Sequence, residues 1–496
     1  MAFENSQAFV VESKKMVGKE QFENLCRLEV QAEKPIKKII HVSANPKIVS
    51  SEKIGENINF SGRTAFNVVY ETEEGALSSL NAVVEWQNST TCLEDNYYIC
   101  PSIQESVVSG FSANEVAVSS LVNIEVYAVK QEKITPLANL SDYVVKENTY
   151  EYQKLVNTAK EAFNEVVEQE YSGKLEEVLY YNGNVKLKSV TAGIDNICVE
   201  GEIEVSTYAL ENGRIVSLTK SAEFKQELGA LSVVPNNAVD ATIRLNDLRV
   251  SASVNETDNK TNLIISTEID IYALVYSKET MTIVEDAFSI NKETNVTYEC
   301  VSVDSFGGQG SLLDTAVGSF ETDKDIYEIC FAVSSNSDIS EVKEENSSVS
   351  ITGATFVDFV CETETREKVK VQGVIPFLIS SSEISSKDEF EVVSKVTSSK
   401  LRGQREIEVV VEINLLYKKG NTTFVTYLSQ IEEVGDKKEA SSAIKVYVVK
   451  ENEDLFSVSK AMLVRPEVIV AQNATLCEDL HEGSRIVVYN GLDINF

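Results

Sequence analysis

Glu406-Ile-Glu-Val-Val-Val-Glu-Ile-Asn-Leu-Leu-Tyr417 alternates apolar and polar residues along its length. Ile407, Val409, Val411, Ile413 and Leu415 fall on one face, and Glu406, Glu408, Glu412 and Asn414 on the other. Successive side chains of a strand point to opposite faces, so the pattern predicts a half-buried strand of an antiparallel sheet. Val199-Glu-Gly-Glu-Ile-Glu-Val-Ser-Thr-Tyr208 follows the same rule, with Ile203, Val205 and Thr207 set against Glu202, Glu204 and Ser206. The turn Glu211-Asn-Gly-Arg214 then reverses the chain, because Asn-Gly supplies the positive φ angles a tight hairpin needs.

That hairpin word occurs three times. Its other copies are Phe60-Ser-Gly-Arg-Thr-Ala-Phe-Asn-Val-Val-Tyr70 and Ile351-Thr-Gly-Ala-Thr-Phe-Val-Asp-Phe-Val-Cys361. All three carry a glycine near the start, Gly62, Gly201 and Gly353, which marks a bulge or a close approach to the backbone. The first copy turns at Thr72-Glu-Glu-Gly75. The third, at Glu362-Thr-Glu-Thr365, has no glycine and is expected to form a longer or more open loop. A second word follows each hairpin: Ile124-Glu-Val-Tyr127, Ile269-Asp-Ile-Tyr272 and Ile413-Asn-Leu-Leu416. Its leading isoleucine recurs roughly every 145 residues, too long a period for a solenoid unit and suited to whole domains in tandem.

The expected fold is mainly β, with three tandem antiparallel sheet modules over residues 1–142, 143–285 and 286–436. One helix is expected over Leu155–Glu168, where Leu155, Ala159, Ala162, Phe163, Val166 and Val167 form a stripe. Gly435-Asp-Lys-Lys-Glu-Ala-Ser-Ser442 reads as a linker. Residues 443–490 break the repeat. Ile444–Val449 reads as a strand, and Asp454 can cap a helix to Met462 whose inner face is Leu455, Val458, Ala461 and Met462. Pro466 opens a second helix to Gln472, and Gly483 leads into a closing strand, Arg485–Tyr489. The order is βααβ, a small α+β domain.

Composition narrows the partners. The 496 residues hold 45 Lys and Arg against 78 Asp and Glu, a net charge of −33. Nucleic acid and anionic lipid are bound by basic clusters, so neither is an expected partner; the charge fits a soluble, self-repelling surface or, alternatively, a partner with basic patches, and composition alone does not choose between them. The eight cysteines form no C-x-x-C pair and do not recur at one repeat position, so free buried thiols in a reducing compartment are expected. Met1–Lys15 lacks the basic and apolar regions of an export signal, and no stretch has the apolar length of a membrane helix. The expectation is a cytosolic protein.

No grouping of residues points to catalysis or to a cofactor. The two histidines, His41 and His481, lie in different modules; His41 sits in an apolar run and His481 in the loop before the last strand. Phe306-Gly-Gly-Gln-Gly-Ser311 lacks the Gly-Lys-Ser/Thr that would cradle phosphate and is expected to be a flexible loop. Asn255–Lys260 offers Glu256 and Asp258 but lacks the glycine and terminal glutamate of a calcium loop.

The C-terminal residues resemble a LysM module. That family's Gly-Asp-Thr-Leu turn is matched by Asn452-Glu453-Asp454-Leu455; Phe456 stands at its aromatic position and Asn473 follows the second helix. Asparagine can replace the glycine because it visits the left-handed region readily. The substituted turn argues against retention of N-acetylglucosamine, the family's typical ligand. The three upstream repeats are similar to SPOCS domains, on Val199-Glu-Gly201 and Val68-Val-Tyr70. Three such modules ahead of a LysM-like one resemble the SipL-type spore coat morphogenesis proteins of clostridia, as does Lys15-Met-Val-Gly-Lys-Glu-Gln-Phe22. The resemblance implies a non-enzymatic scaffold in the mother-cell cytoplasm at the forespore surface, working with a coat-building ATPase. Asn452, Glu453, Asp454, Leu455, Phe456 and Asn473 are then the candidate partner-binding residues. Two alternatives remain open: a self-assembling structural protein, and a glycan-binding protein targeted by its LysM-like module.

Overall fold

The computed structural model describes residues 8–30, 34–137, 140–255, 259–345, 347–437, 443–474 and 480–489. The structure is mainly β, in small antiparallel sheets. The first six strands are β1 (Phe9–Glu29), β2 (Ile36–Ile54), β3 (Asn57–Thr72), β4 (Leu77–Thr91), β5 (Tyr97–Ser112) and β6 (Glu115–Ile134). They form two three-stranded sheets, β1-β6-β5 and β2-β3-β4. The next six repeat the plan: β7 (Val144–Tyr171), β8 (Glu177–Ala192), β9 (Asn196–Glu211), β10 (Arg214–Gly229), β11 (Ala238–Asn255) and β12 (Lys260–Phe288). Their sheets are β11-β12-β7 and β10-β9-β8. β13 (Lys292–Glu321), β14 (Ile326–Glu345), β15 (Ser348–Thr363), β16 (Lys368–Ser381), β17 (Glu389–Arg402) and β18 (Glu406–Asp436) do so again, as β13-β18-β17 and β14-β15-β16.

In the second and third six-strand units the two sheets share one core, filled by alternate residues of their central strands, and in the first they are joined by two apolar clusters. Ile407, Val409, Val411, Ile413 and Leu415 of β18 meet Ile351, Val357 and Phe359 of β15, and all are fully buried. Ile197, Val199 and Ile203 of β9 meet Ile265, Ile269 and Ile271 of β12 in the same way. The repeated glycines occupy equivalent register positions: Gly62 faces Trp86, Gly201 faces Phe224 and Gly353 faces Phe377 across the strand pair. A Cβ on Gly201 would lie 2.4 Å from the Phe224 ring and 2.7 Å from the Lys186 carbonyl oxygen. The close approach expected there is that of an aromatic ring covering bare backbone.

The three units close on one another. β4 lies against β8, β10 against β14, and β16 against β2; β1, β7 and β13 lie mutually in contact. Two apolar seams draw on all three units. One joins Val11 and Ile134 to Tyr152, Met281 and Ile283, and to Val303, Val425 and Tyr427. The other joins Ile40, Val69 and Leu77 to Leu179, Tyr180, Tyr208 and Leu210, and to Phe331 and Val360. Ion pairs cross the same boundaries: Arg63 to Asp247 at 2.6 Å, Lys186 to Glu412 at 2.8 Å and Lys38 to Glu367 at 2.9 Å. Lys47 also reaches Glu268, and Lys418 reaches Asp240.

Several local expectations are corrected. Leu155–Glu168 is strand, inside β7, paired with β12 except for a bulge at Val156. Its residues alternate, with Ala159 buried and Phe163 and Val167 packed on the core while Val166 is exposed. β12 requires an edge partner, and that ladder overrides the helical propensity of the Ala, Glu and Lys residues. Phe306–Ser311 is also strand, with a register shift between Phe306 and Gly308. The third hairpin turn matches the first in length. Thr363 and Arg366 donate where Thr72 and Gly75 do, and Arg366 adopts the left-handed φ that glycine supplies in the first copy. In the second, Asn212 and Gly213 both take positive φ as the Asn-Gly turn requires. Glu256, Asp258 and linker residues 438–442 lie outside the described residues.

A separate small element group ends the described chain: β19 (Ile444–Val448), α1 (Leu455–Met462), α2 (Pro466–Gln472) and β20 (Arg485–Tyr489). β19 and β20 pair antiparallel, and Val449, Val458, Met462, Val464, Ile469, Ile486 and Val488 make its own core. Ala461 is exposed, and Ser459 takes the inner position expected of it, with its hydroxyl donating to the Val464 carbonyl.

Candidate docking site

The turn before α1 is built by its own side chains. Asn452 takes a φ of 60°, the left-handed conformation for which asparagine substitutes for glycine. Glu453 accepts hydrogen bonds from the Tyr447 hydroxyl and the Lys450 amide, both at 2.8 Å, tying the turn to β19. Asp454 caps α1: its Oδ1 accepts from the Ser457 amide at 2.8 Å and from the Ser457 hydroxyl at 2.6 Å. An eight-residue helix is marginal alone, so a cap of this kind, worth about 1 kcal/mol, matters to it. Leu455 packs on the terminal core. Asn473 is buried at the end of α2, where its amide donates to the Ile469 and Val487 carbonyls and accepts from the Val487 amide. It thereby fastens α2 to β20.

The structure thus brings Asn452 to Phe456 together at one surface and places Asn473 within the fold of the same unit. That surface faces the tip of the second unit. Lys146 of β7 donates to Asp454 Oδ2 at 2.8 Å. Lys460 of α1 donates to both carboxylate oxygens of Asp286 of β12, at 2.8 and 2.6 Å. The ring of Phe456 meets that of Phe288 edge-on, with centroids 5.5 Å apart. Partial burial pushes the Asp454 carboxyl up, yet the Lys146 and Ser457 hydrogen bonds outweigh it and hold the group at about 2. Lys146, Asp286, Phe288 and Lys460 carry no local motif, and their role emerges only when the two units meet.

On its far side the terminal sheet is largely apolar, with the exposed Arg485 on the same face beside Val448. Ile444, Val446, Val448 and Tyr489 share one face of the β19–β20 pair, each about half exposed.

Other titratable groups lie elsewhere. His41 is buried at the seam between units, edge-on to Tyr180 at 5.3 Å. Burial pushes its imidazole down to about 3, with Lys370 adding to the shift and Asp358 opposing it. His481 is exposed in the loop before β20. The seven described cysteines are free thiols; Cys26, Cys92 and Cys361 are buried as expected, whereas Cys300 is exposed. Among the described residues no group of three or more His, Cys, Asp or Glu side chains could hold a metal ion. No helix among them is long and apolar enough to cross a membrane.

Comparison with protein-family models, with curated proteins and with solved structures finds no match to this chain.

Proposed function

We propose that this chain is a non-enzymatic scaffold of the bacterial spore coat, made in the mother cell, whose SPOCS-like units form a body that carries a LysM-like docking unit. The observation that supports the reading most is the contrast in construction. Three six-strand units are sealed to one another by shared apolar seams, whereas the βααβ unit has its own core and meets the rest through two partly exposed ion pairs and one ring pair. Such a layout suits a rigid body that presents a small recognition unit. The capped turn at Asn452–Phe456 and the apolar face of β19–β20 are the surfaces it offers. The partner expected from the resemblance is the coat-building ATPase. Fluorescent tagging in sporulating cells tests the reading: enrichment around the forespore is expected, and an even cytoplasmic distribution would sink it.

Self-association is a second reading, favoured by one face of the third unit. Phe356 and Val374 are register partners, and with Leu378 they make an exposed apolar stripe on β15 and β16. The equivalent positions of the second unit are Glu204, Ser221 and Lys225. Sedimentation of the purified chain at high concentration checks it; a persistent monomer rules it out.

A further inference from the structure

We propose that the tip of the second unit clasps the terminal unit and occludes its docking turn, so that a partner must displace Lys146, Asp286 and Phe288 to bind there. The inference rests on the docking reading above and adds its regulation. Lys146 and Asp286 are direct register partners on β7 and β12, so the tip presents a cation and an anion side by side. Asp454 at the start of α1 answers the cation, and Lys460, nearly two turns along, answers the anion. Turning the helix end for end would set like charges against each other, so the pairing admits a single orientation. Phe456 lies between the two ion pairs in sequence and seats against Phe288.

The clasp is releasable. Both ion pairs are partly exposed, with side-chain exposures of 40% and 48% for Lys146 and Asp454, and 39% and 23% for Lys460 and Asp286. Exposed pairs are weak and screened by salt. The connection from Lys437 to Ala443 keeps the unit close, since six peptide steps span at most roughly 20 Å. A short tether re-forms the contact quickly without making it strong. What the clasp supplies also describes its competitor: a basic side chain for Asp454 beside an aromatic or aliphatic one for Phe456.

Charge reversal on the full-length chain tests this. Lys460→Asp and Asp286→Lys should each raise amide hydrogen exchange across residues 454–460 at least threefold, and the double swap should return it toward the original rate. Affinity capture from sporulating cells with the same three variants should recover more of the coat partner with each single reversal than with the swap. Unchanged exchange in both single variants overturns the clasp. Faster exchange with unchanged capture of that partner overturns the occlusion. Should no variant capture a coat protein, the scaffold reading fails, while the exchange result still decides whether the clasp exists.

Discussion

The seams between the three large units and the contact that holds the terminal unit are made of different materials. Tyr180 at the seam is buried against Tyr208 and Phe331, with ring centroids 6.0 and 6.3 Å away, and the aliphatic residues around it come from every unit. The terminal contact has two half-exposed ion pairs and one edge-on ring pair. Burial of large apolar groups scales with area and is not screened by salt, whereas exposed charges contribute ~0–1 kcal/mol a pair. One junction therefore behaves as part of the fold and the other as an equilibrium.

The comparison breaks most visibly at Tyr180. Tyr180→Ala should cost about 3–5 kcal/mol in denaturant unfolding, because the cavity opens where no single unit can collapse to fill it. If the units unfolded independently, the loss would appear in one transition and leave the others in place. Inside a single unit, Gly201→Ala should cost about 1–3 kcal/mol, since its Cβ meets the Phe224 ring and a carbonyl oxygen. If Gly201→Ala costs as much in a Phe224→Ala background as in the parent chain, the ring is not the obstacle.

Acid sharpens the seam's side of the contrast. The folded pKa of His41 lies below the unfolded value, about 3 against 6.5, so the unfolded chain binds the proton first. Its contribution is complete above pH 6.5 and is lost as pH falls toward 3. At pH 5.5, one unit below the model-peptide value, the loss is about 1.4 kcal/mol. His41→Phe should abolish that increment when unfolding curves at pH 7.5 and 5.5 are compared with the parent chain. An identical drop in both chains would refute the assignment.

The smallest effect belongs to the terminal unit. Asp454→Ala removes the helix cap and the Lys146 pair together and should cost about 1 kcal/mol, confined to residues 443–489. Hydrogen exchange resolves it: protection should fall in α1 and stay unchanged in β3, β9 and β15.

Much of the architecture was legible because its signals are local. Period-two alternation located β9 and β18, Asn-Gly located a hairpin, and Asp454 and Pro466 marked the starts of both short helices. Leu155–Glu168 misled because its apolar residues also fit a helical stripe, and the deciding term is the ladder with β12, about a hundred positions away in sequence. Phe306–Ser311 misled for a related reason: glycine-rich sequence forms strand here because β18 supplies the pairing. The candidate turn was legible in its own residues, but its surroundings were not. Lys146 and Asp454 are 308 positions apart, and nothing near either one encodes the other.

The aromatic rings laid over the repeated glycines make the units optically distinguishable. The chain has one tryptophan, Trp86, and it covers Gly62 in the first unit, its Nε1 donating to Thr64 at 3.0 Å. The matching positions of the other two units hold phenylalanine. Indole emission therefore reports the first unit alone, while peptide-bond dichroism reports every strand at once. Coincidence of the two signals during unfolding would measure how far the seams make three units melt as one.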